Sequence, residues 1–147
     1  MGSEMCIRDS SGTILKAGSL KIYDLQENFW IQQTQIIEGL GAFELLGTSI
    51  SMSTDGNIIA IGSPGHANTT VSENSVTSVN VGKTTVYSYT DNAWGRVGNV
   101  IEDGTIEKRN GFSISLSNDG TTIAVGSENG GGAVSYTHLT LPTIYSV

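Results

Sequence analysis

Cysteine is nearly absent: the 147 residues contain one, Cys6, and only two histidines, His66 and His138. Between Ser11 and Ala133 there is no cysteine and a single histidine, so a disulfide framework, a thiol nucleophile and a Cys/His zinc site all lack the residues they need. Such scarcity suits cytosol, periplasm and exterior alike, and it selects no redox compartment. Basic residues are also few, 7 Lys and Arg against 14 Asp and Glu. Within that span they are Lys16, Lys21, Lys83, Arg96, Lys108 and Arg109, too scattered to build the cationic surface that nucleic-acid binding requires. No apolar run approaches membrane-spanning length, so no membrane insertion is expected in this segment. Charged residues make up 14% and Gly numbers 19, with Ser, Thr and β-branched residues abundant; this composition points to sheet and turns.

What the chain does contain is a repeat with an ungapped offset of about 64 residues. Gly47-Thr48-Ser49-Ile50-Ser51-Met52-Ser53-Thr54-Asp55-Gly56 lies over Gly111-Phe112-Ser113-Ile114-Ser115-Leu116-Ser117-Asn118-Asp119-Gly120. Ile59-Ala60-Ile61-Gly62-Ser63 lies over Ile123-Ala124-Val125-Gly126-Ser127, and upstream Gly18, Tyr23, Asn28, Trp30, Ile37 and Glu38 fall on Gly82, Tyr87, Asn92, Trp94, Ile101 and Glu102. A period of this size marks stacked or radial repeats.

The two ends are of another kind. Met5-Cys6-Ile7-Arg8-Asp9 can be encoded ATG TGT ATA AGA GAC, whose reverse complement, GTC TCT TAT ACA CAT, translates as Val134-Ser135-Tyr136-Thr137-His138. One short DNA element read inward from both directions accounts for both ends, and it resembles the adapter attached to inserts in transposase-based sequencing libraries. Gly2-Ser3-Glu4 and Leu139-Thr140-Leu141-Pro142-Thr143 resemble its two arms, and Ile144 to Val147 resembles read-through of an index. Residues 1–10 and 134–147 are therefore expected to be non-native, and Met1 to Asp9 and Leu139 to Val147 to make few contacts with the repeats. Cys6 and His138 drop out of any site hypothesis, and the true termini are left unread.

Within each unit the period-2 alternation of Ser49 to Ser53 and Ser113 to Ser117 predicts a strand, A. The short β-branched runs Ile58 to Ile61 and Ile123 to Val125 predict a buried strand, B. Asp55-Gly56 and Asp119-Gly120 between them supply the positive φ of a tight hairpin, so A and B are expected to be antiparallel neighbours. Strand C is expected at Thr84 to Thr90 and Leu20 to Leu25, and strand D around Trp94 to Ile101 and Phe29 to Ile37. Asp91-Asn92 and Glu27-Asn28 are the turn residues between them.

Four short strands per unit match one blade of a β-propeller. Leu46-Gly47-Thr48-Ser49 with Gly62-Ser63-Pro64 resembles the Phe-Gly and Gly-Ala-Pro signatures of FG-GAP repeats in integrin-α-type propellers, and Asn110-Gly111-Phe112-Ser113 with Gly126-Ser127-Glu128 is a looser copy. The whole unit resembles FG-GAP-like arrays of large bacterial secreted and surface proteins. That resemblance implies an all-β fold, a β-propeller fragment of four-stranded antiparallel blades: strands C and D of a partial blade in 11–45, a complete blade in 46–103, and strands A and B of the next in 104–133. It implies a non-catalytic binding or adhesion module, extracellular or at the cell surface, that packs against neighbouring blades of a parent chain and takes a protein or glycan ligand. The alternative is a fragment of a propeller enzyme of the lactonase or glycan hydrolase type, with catalytic residues outside this segment. The calcium loop of integrin-type blades is not carried over, because each A–B hairpin holds one aspartate where calcium prefers six to eight oxygens.

No catalytic, cofactor or metal residues are assigned. Glu38 and Glu102 recur at the end of strand D, and a residue present in every unit occupies symmetry-related places instead of one asymmetric site. Trp30 and Trp94 are readable as sugar-stacking platforms or as packing anchors between blades, with recurrence favouring anchors. The segment Gly65 to Val81 is the chief addition to a minimal blade, and its alternation is compatible with an extra hairpin. Insertions of this kind map to one face of a repeat array, so its His66, Asn68, Glu73 and Asn74 are the candidate partner-facing residues. A solvated loop histidine, a chance glycosylation sequon at Asn68-Thr69-Thr70 and a merely tolerated loop are the competing readings.

Overall fold

The structure, a computed structural model, describes residues 16–72, 75–102, 108–128 and 135–137. The end segments on which the few-contacts expectation falls, Met1 to Asp9 and Leu139 to Val147, lie outside the described residues. Eleven strands and no helix are present among the described residues. β1 (Ser19–Gln26) and β2 (Phe29–Glu38) form a hairpin. β3 (Ser49–Met52), β4 (Ile58–Ser63), β7 (Lys83–Thr90) and β8 (Ala93–Ile101) form a four-stranded sheet in the order β3-β4-β7-β8, every neighbour antiparallel. β5 (Ala67–Ser72) and β6 (Ser75–Asn80) pair with each other as a hairpin inserted between β4 and β7. β9 (Asn110–Leu116), β10 (Ile123–Ser127) and β11 (Ser135–Thr137) complete a three-stranded sheet in the order β11-β10-β9.

The eight strands expected from the repeat are all found; several ends reach one or two residues further than expected, β9 begins three residues earlier, and β3 and β9 each stop one residue sooner. Ser49 faces Gly62 and Met52 faces Ile59; in the second copy Ser113 faces Gly126 and Leu116 faces Ile123. β11 is an addition. Three residues set apart as adapter-derived lie along the outer edge of β10, where an unpaired row of backbone groups accepts almost any extended segment.

Two kinds of turn produce the hairpins. Glu27-Asn28 and Asp91-Asn92 are two-residue loops with φ of 47° and 71°, and of 52° and 62°. Positive φ at both positions is the turn whose twist matches its strands, and Asn and Asp tolerate it. The Asp-Gly turns are longer, because only glycine takes positive φ there, Gly56 at 74° and Gly120 at 72°. The aspartate acts instead as an acceptor hub. Asp55 Oδ1 accepts from Ser53 Oγ at 2.5 Å and Asn57 N at 3.1 Å, and Ser53 Oγ accepts from Ile58 N at 3.0 Å. Asp119 repeats this with Ser117 Oγ at 2.6 Å and Thr121 N at 3.1 Å.

Alternation along β4 covers both faces of the central sheet. Ile59 and Ile61 join Trp94, Leu46 and the hairpin residues Leu20, Ile22 and Ile37 in one buried cluster. On the opposite face Ala60 and Val86 join Ile123 and Val125 of β10, with Ile58, Val97, Ile101, Ile114 and Leu116 packed around them. The β1–β2 hairpin, the central sheet and the β9–β10 sheet are thus stacked in chain order. The backbone at the two junctions is the same: Leu46 N donates to Ala17 O at 2.9 Å, and Asn110 N to Val81 O at 3.0 Å. Parallel bridges Gly18–Leu46 and Gly82–Asn110 accompany these bonds. Ser49 and Ser51 face the next sheet: Ser49 Oγ donates to Gly111 O at 2.7 Å, and Ser51 Oγ accepts from Leu116 N at 2.9 Å.

Candidate functional site

The inserted hairpin rises from a stem that the backbone closes tightly. β4 ends at Ser63, and His66 N donates back to Ser63 O at 3.0 Å after the turn at Pro64-Gly65. His66 O then accepts from both Val81 N and Gly82 N at 3.0 Å, which brings the two legs of the excursion together before β7 begins. Gly65 N donates to Glu44 O at 3.1 Å, tying the stem to the segment between β2 and β3.

A buried charge pair lies under this stem. Glu44 is 2% exposed, and its Oε1 receives Lys83 Nζ at 2.8 Å. Its Oε2 accepts from Leu40 N and Gly41 N, each at 2.9 Å. Burial works to raise the Glu44 pKa, but the hydrogen bond from Lys83, the Gly41 and Leu40 donors and the Lys83 charge together outweigh it and hold the carboxyl below its ordinary value. His66 is half-buried beside the pair. Burial, then the charge of Lys83, lowers its pKa, against weaker opposing pulls from Glu44 and Glu102. The imidazole is therefore neutral at neutral pH, one face of a stem and not a free cation.

Of the four candidate partner-facing residues, the structure places His66 at the stem and Asn68 in β5 opposite Val79. Glu73 and Asn74, between the paired Ser72 and Ser75, lie outside the described residues. Glu38 and Glu102 are exposed at the ends of β2 and β8. Among the described residues no group of three or more His, Cys, Asp and Glu is close enough to hold a metal ion. No helix among them is long and apolar enough to cross a membrane.

The tryptophans divide. Trp94 is 4% exposed and bridges to β2: its N donates to Gln35 Oε1 at 2.7 Å, its O accepts from Gln35 Nε2 at 2.8 Å, and its Nε1 donates to Gln33 Oε1 at 2.7 Å. Tyr89 packs against its ring at 5.3 Å. Trp30, its counterpart, is 68% exposed. It borders an apolar groove of about 590 Å³ along β1, lined also by Leu20, Ile22, Tyr23, Ile50 and Met52.

Glu44 and Lys83 were not singled out in the sequence, although a signal existed. Both break the repeat, Glu44 standing where the next unit has Lys108 and Lys83 where the preceding one has Ser19. A charge that fails to recur belongs to one place in the array. The sequence matches no protein-family model and no curated protein.

Proposed function

We propose that the chain is a non-catalytic binding or adhesion module, a piece of a larger secreted or cell-surface β-propeller of the FG-GAP type. The observation that carries this reading is the stacking of successive sheets with the same junction bonds, Leu46 N to Ala17 O and Asn110 N to Val81 O. Sheets stacked in chain order with equal steps are how radial arrays bury their faces. Among the described residues the β5–β6 hairpin is an excursion that pairs only with itself, outside the stacked sheets, and an excursion on a rigid repeat scaffold is where contact with a partner is made. A protein or glycan is the ligand class, recognised by the hairpin and by His66 at its stem.

The test is a binding screen of the full chain against immobilised glycans and extracellular proteins, repeated with His66, Asn68, Glu73 and Asn74 each replaced by alanine. Binding that falls at least tenfold in these variants supports the module reading. Retained binding would move the contact elsewhere on the array, and turnover of lactones or glycosides by the chain would favour the enzyme alternative.

A further inference from the structure

Among the described residues β1 is paired on one side only, by β2. Its counterpart one repeat later, β7, is paired on both sides, by β8 and by β4. The apolar groove along β1 lies where a strand equivalent to β4 belongs. The groove residues Ile50, Met52 and Ile59 correspond to Ile114, Leu116 and Ile123, and at the second junction those three share one hydrophobic cluster with Ile58 and Ala60 of β4. Among the described residues the first junction lacks these partners, and Ile50 and Met52 are 47% and 44% exposed.

The chain itself carries the missing shape. β9–β10 is the repeat copy of β3–β4, and β10 is the copy of the strand that pairs with β7. We infer that β10 of a second copy of this chain docks on β1, completing a four-stranded sheet across two molecules. The repeat sets the register: the pairs Ile59–Tyr87, Ala60–Val86, Ile61–Thr85, Gly62–Thr84 and Ser63–Lys83 become Ile123–Tyr23, Ala124–Ile22, Val125–Lys21, Gly126–Leu20 and Ser127–Ser19. Tyr89 N donates to Asn57 O on the β4 side of β7, and residues along a strand alternate in direction. Tyr87 therefore points the same way, as does its counterpart Tyr23, whose N–H faces the open edge.

The neighbouring bonds follow the same translation. Ser113 of the second copy stands to Gly47 O as Ser49 stands to Gly111 O, and Ser115 stands to Met52 N as Ser51 stands to Leu116 N. Trp30 would cover Val97 of the second copy as Trp94 covers Gln33. The edge of β10 that docks is held in the single chain by β11 through three residue pairs, Ile123–Thr137, Ala124–Tyr136 and Val125–Ser135. β1 offers the longer ladder and an apolar groove beside it, so β11 is displaced. The contact is head-to-tail, and such contacts either close into rings or extend without limit.

Docking rests on the repeat geometry alone, whereas ring closure rests on the propeller reading, and one experiment separates them. Sedimentation velocity of the full chain over rising concentration is expected to show species at multiples of the 15.4 kDa chain. Hydrogen exchange is expected to slow at the Lys21 and Tyr23 amides as those species form. Lys21→Pro removes a donor from the accepting edge, and Ala124→Glu puts a charge on the docking strand; each alone is expected to stay monomeric. Mixed, they are expected to form a one-to-one dimer, because each keeps the half that the other has lost, and a misfolded variant cannot give that result. A monomer at every concentration overturns the docking, as does association that leaves the Lys21 and Tyr23 amides unprotected. A discrete ring supports both docking and propeller, while open-ended growth supports docking and counts against the propeller.

Discussion

Gly62 sits where β4 passes closest to the next sheet: a Cβ on it would lie 2.0 Å from Gly111 O and 2.3 Å from Ser49 Oγ. Backbone cannot yield as a flexible side chain does, so Gly62→Ala is expected to force the sheets apart and destabilise the fold by about 1–3 kcal/mol, read as a lower urea midpoint. The glycine was visible as part of a repeated motif, but its cause was not, because the crowding atom comes from a residue about fifty positions away. Asp119 offers a second test. The Ser117 hydroxyl, then the Thr121 N–H and hydroxyl, pull its carboxyl from 3.8 down to about 2. A carboxyl whose pKa is lower folded than unfolded adds stability that is complete above the unfolded value and is lost as pH falls through the folded one. The difference in Tm between the wild type and Asp119→Asn is therefore expected to hold steady near neutral pH and to shrink between 3.8 and about 2. The sequence pointed to a hairpin at Asp-Gly and missed the hub, since a tight turn needs only the local φ while the hub needs Ser117 and Thr121 brought round together. Glu44 and Lys83 each stood out as breaks in the repeat, but their pairing was illegible for a related reason, the two being far apart in the chain and joined only by folding.

At the scale of the element, strands and hairpins were legible because their causes are local: alternation along β3 and β9, and turn residues at Glu27-Asn28 and Asp91-Asn92. β11 was not, because three residues without a pattern become a strand only when a free edge is offered to them. The two tryptophans show the same limit from the other side. They share a repeat position, yet one is enclosed and the other open, because among the described residues only Trp94 has a hairpin stacked before it. At concentrations low enough to keep the chain monomeric, Trp94→Ala is expected to cost about 3–5 kcal/mol, the range for truncating a buried aromatic. Trp30→Ala under the same conditions is expected to stay within about 0.5 kcal/mol, as for an exposed position. Paired urea melts of the two variants provide the comparison.

For the whole molecule, cooperativity is set by how many sides of each strand are covered. β4 is paired on both edges and covered on both faces, with Ile59, Ala60 and Ile61 all buried. Native-state hydrogen exchange is expected to be slowest at these amides and at β7, and faster in β1 and β2, whose outward residues Tyr23, Leu25 and Trp30 are exposed. Equal protection throughout would mean that the three sheets open as one unit instead of fraying from the hairpin inward. The stem at His66 lies outside that order. His66 O holds Val81 N and Gly82 N together, so the framework sees the excursion between them as a single closed point. Lengthening a loop already closed at its base costs only about 0.6 kcal/mol for each doubling. The position is thus a grafting port: foreign peptides can be spliced in place of β5 and β6 and displayed on a rigid support, and the strands below would register the exchange as little more than a change of cargo.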